Sequence, residues 1–293
     1  MAPLKKLKVG VTGASGFVGQ RVVRLLNEHG HEVVAFTRSP ERGVPGCVES
    51  RAFGPGREIK VAGLDAVIHL AGESVLGLWT PEKKRKILES RRDGTRALVD
   101  AILAVGENRP QVLVSASAVG FYGDTGDREV DEASPAGTGF LAEVAKVWEQ
   151  EALRAEGGGV RVTLLRIGMV LGDEGGAMKL LKPVFQLGLG ARLGDGRHWV
   201  PWVDVADVAA MAVFALENKT VSGALNASAP VPLRNVDFTK ALARSYGRFA
   251  IFAAPAFALR MTLGEMSDVL LSSHRVLPKR AEQLGFKFER REL

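Results

Sequence analysis

Three glycines in seven positions, Gly13, Gly16 and Gly19 in the stretch "VTGASGFVGQ" (Val11–Gln20), constrain this chain more than any other feature. An apolar, strand-like run, Lys8–Val11, leads into them. A helical pattern, Phe17–Glu28, leaves them with Val18, Val22, Leu25 and Leu26 on one face and Gly30 placed to stop it. A second strand pattern, Glu32–Thr37, follows at the spacing of a strand–helix–strand unit. In that context the three glycines divide the physical work. Gly13 makes a turn that a Cβ would obstruct, Gly16 lets backbone approach a pyrophosphate, and Gly19 lets the helix pack closely. The amides opening the helix then face the phosphates, helped by the dipole, and Ser15 adds a hydroxyl donor. The segment reads as a dinucleotide-binding loop.

Further strand patterns at Ala66–Leu70, Val112–Ser115 and Val160–Arg166 alternate with helical patterns at Pro81–Ala104 and Phe140–Ala155. Thr80 suits the N-cap of the first of these helices and Pro81 its N1 position. The run "DAVIHLAG" is nearly all apolar, as expected of a strand buried on both faces. Such alternation predicts an α/β fold, a Rossmann-type doubly wound parallel sheet. Past residue 168 glycine-rich loops and a proline-bearing segment predict a smaller C-terminal substrate lobe. The expected division is 1–168 plus 203–227 for the nucleotide-binding domain and 169–202 plus 228–293 for the lobe, with a helix over Val205–Asn218 and a last strand in "ALNAS".

Which dinucleotide binds is set at the end of the second strand. NAD-binding versions carry an acid there for the ribose hydroxyls. This chain reads "AFTRSPER": Thr37, Arg38 and Ser39, with no acid before Glu41. A carboxylate would repel a 2′-phosphate, whereas a guanidinium forks onto it, so the expected cofactor is NADP(H).

The totals narrow the class. The single cysteine, Cys47, forms no intrachain disulfide and fits a reducing, cytoplasmic setting. The longest apolar run, Phe249–Leu259, is broken by Pro255 and falls short of the roughly 20 residues of a membrane span. "MAPLKKLKVGV" passes from lysines into strand without the pattern of a signal peptide. Much of the net charge of +6 sits at Lys5, Lys6 and Lys8, at Lys83–Lys86 with Arg91 and Arg92, and at Lys279–Arg291. No aromatic-studded basic strand or recognition helix accompanies it, so it reads as solvated faces plus attraction to a phosphorylated cofactor. Expected partners are a small-molecule substrate and, as an option, a second copy of the chain, with neither nucleic acid nor membrane.

The motifs "TGASGFVG", "DAVIHLAG", "GTRALVDA", "SASAVGFYG", "LRIGMVLG" and the late W-V-D-V-A-D resemble, in order, the extended short-chain dehydrogenase/reductase and sugar-nucleotide epimerase superfamily. "FLAEVAKVWEQEA", "GGAMKLLKPVFQLGLGARLG" and "RVLPKRAEQLGFKF" are similar to its divergent branch labelled epimerase family proteins. The resemblance implies cofactor contacts at Gly13, Ser15, Gly16, Phe17, Val18 and Arg38. It also implies contacts at Leu70, Ala71, Gly72 and Glu73 along the ribose–nicotinamide path, and at Ile167, Gly168 and Val170 beside the nicotinamide. Arg91 fills a slot where the superfamily often has a cofactor-touching asparagine, which suits a phosphate-rich ligand.

The superfamily's acid–base engine is a Tyr with a Lys four residues later on one helix face. No Tyr-x-x-x-Lys exists here: Tyr122 has Gly126 at +4 and Tyr246 has Ala250. Aligned on Glu149, Leu141 stands in the Tyr position and Ala145 in the Lys position, with Lys146 one residue off. Ser117 matches the superfamily serine that polarises a substrate oxygen, although a lone hydroxyl is no base unaided. Tyr122 is the candidate proton donor; Glu73, Glu143 and His198 are further groups to place. Two readings follow: an NADPH-dependent oxidoreductase or epimerase-like enzyme acting on a small polar substrate, or a catalytically silent NADP(H)-sensing module that recruits a protein.

Overall fold

The computed structural model describes residues 6–173 and 175–293; Lys5, the first residues of "MAPLKKLKVGV" and Glu174 in "LGDEGGAM" lie outside the described residues. Seven strands form the central sheet: β1 (Lys8–Thr12), β2 (Glu32–Thr37), β3 (Glu49–Ala52), β4 (Ala66–His69), β5 (Val112–Ala118), β6 (Arg161–Ile167) and β7 (Gly223–Ala227). Their order is β7-β6-β5-β4-β1-β2-β3 and every pairing is parallel. The chain therefore winds outward in both directions from β1 and β4, the switch point at which doubly wound sheets bind ligands. β3 has no counterpart among the expected strands: "ESRA" is polar and half-exposed on the sheet edge, so it carries no apolar alternation.

Helices α1 (Phe17–Glu28) and α5 (Val205–Glu217) cover one face, and α2 (Pro81–Ala104) and α3 (Phe140–Leu153) the other. α1 and α2 have the bounds their patterns predict. Thr80 caps α2, its hydroxyl accepting from the Lys83 amide at 3.2 Å, and Gly30 at φ +82° follows the end of α1. α3 ends two residues early, at Leu153, and continues as a 3₁₀ turn.

The lobe holds α4 (Met178–Gln186), α6 (Asn235–Ser245), α7 (Ala256–Leu263) and short paired strands. Its small core gathers Met178, Phe185, Trp202, Phe238 and Leu242. The C-terminal tail packs on the large core rather than on this small one. Phe286 and Phe288 join the large core edge-on to Phe214 and to each other, and the Asp207 carboxylate accepts from the amides of Glu289 and Arg290. Among the described residues no helix is long and apolar enough to cross a membrane.

Candidate cofactor site

The glycine loop closes on itself tightly. The Gly16 amide donates to the Gly13 carbonyl at 2.9 Å, and Gly13 takes φ +70°. A Cβ on Gly19 would stand 2.1 Å from the Gly13 oxygen, so the third glycine admits α1 to the loop backbone itself. Gly16 is the N-cap of α1 and, among the described residues, no side chain caps that helix. Its first amides, together with the exposed Ser15, are left to an anion. The site fits a dinucleotide pyrophosphate on these grounds.

A buried relay braces the switch point. The Thr12 hydroxyl accepts from the Leu70 and Ala71 amides at 3.0 and 3.1 Å, so its own proton goes to Nδ1 of His69 at 2.7 Å. His69 must then carry its proton on Nε2, which donates to Thr95 Oγ1 at 2.9 Å. Burial drives the His69 pKa down to about 4, keeping the ring neutral. Thr95 is the threonine of the "GT" in α2. The chain from Thr12 to Thr95 thus fixes the carbonyl end of β4 against both β1 and α2. Sequence patterns give no sign of Thr12 and His69, because each lies inside an apolar run.

The residues expected to bind cofactor meet along the carboxyl edge of the sheet, but most through backbone. Val18, Leu70, Ile167 and Val170 turn their side chains against the large core. The Phe17 ring faces away from the loop amides, into Gly172, Gly175 and Gly176, where any Cβ would strike it within 2.5–2.8 Å. Gly168 is equally confined: its Cβ would lie 2.1 Å from the Pro201 carbonyl oxygen. Thr37 accepts from the Ser39 amide at 3.3 Å, shaping the turn that presents Arg38 to solvent. The Arg38 charge reaches Glu73 across the site.

Glu73 is not free. Its carboxylate meets Lys83 Nζ at 2.6 Å, and that bond holds its pKa below the ordinary range. Arg91 lies beside Gly72, its guanidinium 4.8 Å over the Trp148 ring. Its Nη1 donates to the carbonyls of Glu73 and Ile87, and burial lowers its pKa to about 10, still a cation at neutral pH.

The structure moves the two candidate catalytic hydroxyls inward. Ser117 and Tyr122 are both buried. Ser117 Oγ donates to Glu149 Oε1 at 2.6 Å. Arg166 grips the same carboxylate in a fork, Nε and Nη2 at 2.8 and 2.9 Å, and its Nη1 donates to Tyr122 Oη at 2.9 Å. Tyr122 in turn donates to Asn226 Oδ1 at 2.7 Å. The guanidinium lies 3.5 Å above the Phe121 ring. Burial pushes the Tyr122 phenol up to about 12, too high to yield a proton near neutrality. An arginine embedded in "LLRIG" needs a buried partner, and meeting that need takes these hydroxyls. On α3, Leu141 packs on Gly120 and Ala145 is buried.

The remaining candidates fall elsewhere. Glu143 pairs with Lys146 on the outer side of α3. His198 is half-buried with its Nε2 unpartnered, and burial lowers its pKa, leaving it uncharged at neutral pH. Cys47 has a thiol pushed up to about 11 by burial, which makes it a poor nucleophile. Trp202 and Trp148 are core, Trp199 lies between Arg234 and Arg275, and Trp79 packs edge-on to Phe140.

Known proteins with this pattern bear on the site. Residues 9–227 match the model of the NAD dependent epimerase/dehydratase family, and 254–293 match a domain of unknown function, DUF1731. A chloroplastic homologue of epimerase family protein SDR39U1 from Arabidopsis thaliana is 40% identical over 97% of this chain and 84% of its own length. Epimerase family protein YfhF of Bacillus subtilis is 34% identical over 96% and 94%. The crystal structure of human epimerase family protein SDR39U1 (isoform2) with NADPH superposes with a TM-score of 0.90 at 31% identity, covering 98% of this chain and 96% of that one. A nucleoside-diphosphate sugar epimerase from Corynebacterium glutamicum gives 0.80 at 33% identity, over 98% of this chain and 56% of that one. With the family model spanning the sheet from β1 to β7 and these relatives aligned along nearly the whole length, the chain belongs to the NAD dependent epimerase/dehydratase family.

Proposed function

We propose that this protein binds NADP(H) and works as an oxidoreductase or epimerase-like enzyme on a small substrate, without a tyrosine–lysine pair. The observation that carries the cofactor reading is Arg38. It is exposed at the end of β2, where an acid would select the unphosphorylated ribose, and it lies on the same edge as the uncapped amides of α1. That the human relative is solved with NADPH supports the same reading. The amides opening α1 and the Ser15 hydroxyl hold the pyrophosphate. Arg38 and Ser39 hold the 2′-phosphate. Backbone from Leu70 to Glu73 and from Ile167 to Val170 walls the nicotinamide end, with Arg91 supplying positive charge beside Gly72. When bound, the reduced nicotinamide supplies a hydride.

Titration of nicotinamide fluorescence tests this. NADPH should bind more tightly than NADH, and Arg38→Ala should weaken NADPH by about tenfold to a hundredfold, the worth of one or two charge-assisted bonds, with little effect on NADH. Equal affinities in the parent protein would overturn the role of Arg38.

The second reading, a silent NADP(H) sensor, is favoured by one observation: Leu141 and Ala145 occupy the positions of the acid–base pair while Ser117 and Tyr122 are committed to Glu149 and Arg166. Oxidation of stoichiometric NADPH by any member of a panel of carbonyl compounds favours the enzyme; its absence across the panel, with NADPH binding intact, favours the sensor.

A further inference from the structure

The lobe exposes large apolar side chains in unusual density. Phe249, Met261, Ile251, Leu187 and Phe257 are between 67% and 84% exposed. They belong to one surface. Leu180, Val184 and Leu187 recur at i, i+4 and i+7 on the outer side of α4, opposite the buried Met178 and Phe185. The strand Phe252–Ala254 pairs in parallel with Ala191–Leu193, the segment that follows α4. Arg248 Nε donates to the Gln186 carbonyl at 3.0 Å and ties the two stretches together at their start. Beyond that strand α7 buries no residue and presents Phe257 and Met261 one turn apart.

Charge along these two segments is one-sided. The segments 178–193 and 244–263 contain Lys179, Lys182, Arg192, Arg244, Arg248 and Arg260 and no acid; Arg244 lines a cavity with Asp237 and Glu292, and the exposed Asp195 and Asp268 lie just outside the segments. Glu265, just past α7, is already taken by Lys84 at 2.6 Å.

We propose that this face docks on an anionic phospholipid surface, with the phenylalanine, isoleucine, leucine and methionine side chains entering the headgroup–acyl boundary and basic side chains such as Lys179, Lys182, Arg248 and Arg260 among the phosphates. Contiguous exposed apolar surface of this kind marks an interaction site. Side chains that stand this far out of the surface are knobs, suited to a soft medium more than to a preformed protein groove. Basic residues around apolar ones give the two signals that stable interfacial attachment needs. A second copy docking through the same face would bring two sets of these basic side chains together. The run Phe249–Leu259 is too short to span a bilayer, but lying on one requires no span.

Sedimentation with vesicles tests the proposal, using phosphatidylcholine alone and phosphatidylcholine with about a third phosphatidylglycerol. The intact protein should co-sediment with the anionic vesicles, weakly with the neutral ones, and less as salt rises. Phe249→Ser with Met261→Ser should abolish binding. Lys179→Gln with Arg260→Gln should weaken it about twenty-five-fold, near fivefold for each charge. Because these side chains bury little in the core, both variants should keep the parental melting temperature; a variant that does not is replaced by Ile251→Ser and Arg248→Gln. Absence of binding to anionic vesicles overturns the proposal. So does binding unchanged in the serine variant. A dimer that the serine variant dissociates, without vesicle binding, overturns it in favour of a second copy, and capture by an acidic protein alone overturns it in favour of that partner.

Discussion

Replacing Ser117 by alanine separates a structural hydroxyl from a catalytic one. The side chain donates at 2.6 Å to a carboxylate that keeps two further bonds from Arg166. Ser117→Ala therefore deletes one charge-assisted bond and leaves the guanidinium neutralised. The expected cost is about 1.5–3 kcal/mol, the usual worth of a bond to a charged group. It stays below the roughly 3–5 kcal/mol expected for Glu149→Ala, which strands a buried cation. For a chain of 293 residues the serine variant should melt roughly 2–5 °C lower. Urea and thermal unfolding measure it, alongside NADPH titration, which should not change. A cycle with Glu149→Ala adds a second test, because the hydroxyl has no acceptor left in that background and the double variant should match Glu149→Ala alone. An unchanged midpoint combined with a tenfold or larger loss of turnover would refute the reasoning and return the hydroxyl to the reactants.

Two further outcomes follow from the geometry. Gly19→Ala places a methyl 2.1 Å from the Gly13 oxygen, so the loop or α1 must shift; NADPH binding should fall at least tenfold even where the protein remains folded, as titration of purified variant protein will read. His69 ties stability to pH. Its folded pKa of about 4 lies below the ordinary 6.5, so as pH falls the unfolded chain takes the proton first. That contribution is whole above about pH 6.5 and drains away as pH falls toward 4, by up to about 3 kcal/mol. Urea midpoints measured across that window should decline, and His69→Asn should flatten the decline; a parallel slope in the variant assigns the acid sensitivity to other groups.

The alternating pattern makes the sheet legible because a strand buried between two layers of helix must be apolar, and β1, β2, β4 and β6 are. β3 escapes because it pairs on one side only and buries little. The carboxyl end of β5 fades from view at Ser115, since two serines alternating with the small Ala116 and Ala118 carry little apolar signal although the strand runs to Ala118. Within the site, the glycine loop and Arg38 are readable because their chemistry is local, a turn, an approach and an unopposed cation within a few residues. The relay Thr12–His69–Thr95 and the cluster of Ser117, Glu149, Arg166, Tyr122 and Asn226 join residues separated by up to 104 positions, and no local pattern announces such partners.

Sequence alone determined three things: the strand–helix order, the glycine loop followed after β2 by an arginine and no acid before Glu41, and the lack of Tyr-x-x-x-Lys. Each is a matter of residue identity and short-range spacing. Tertiary structure alone decided which way the polar side chains of β5 and the turn after it point. Strand alternation offers a serine two faces, and the buried Arg166–Glu149 pair, which cannot stand unsatisfied away from water, claimed Ser117 and Tyr122 for the interior. Folding likewise gathered two basic, acid-free segments, far apart in the chain, into a single apolar face.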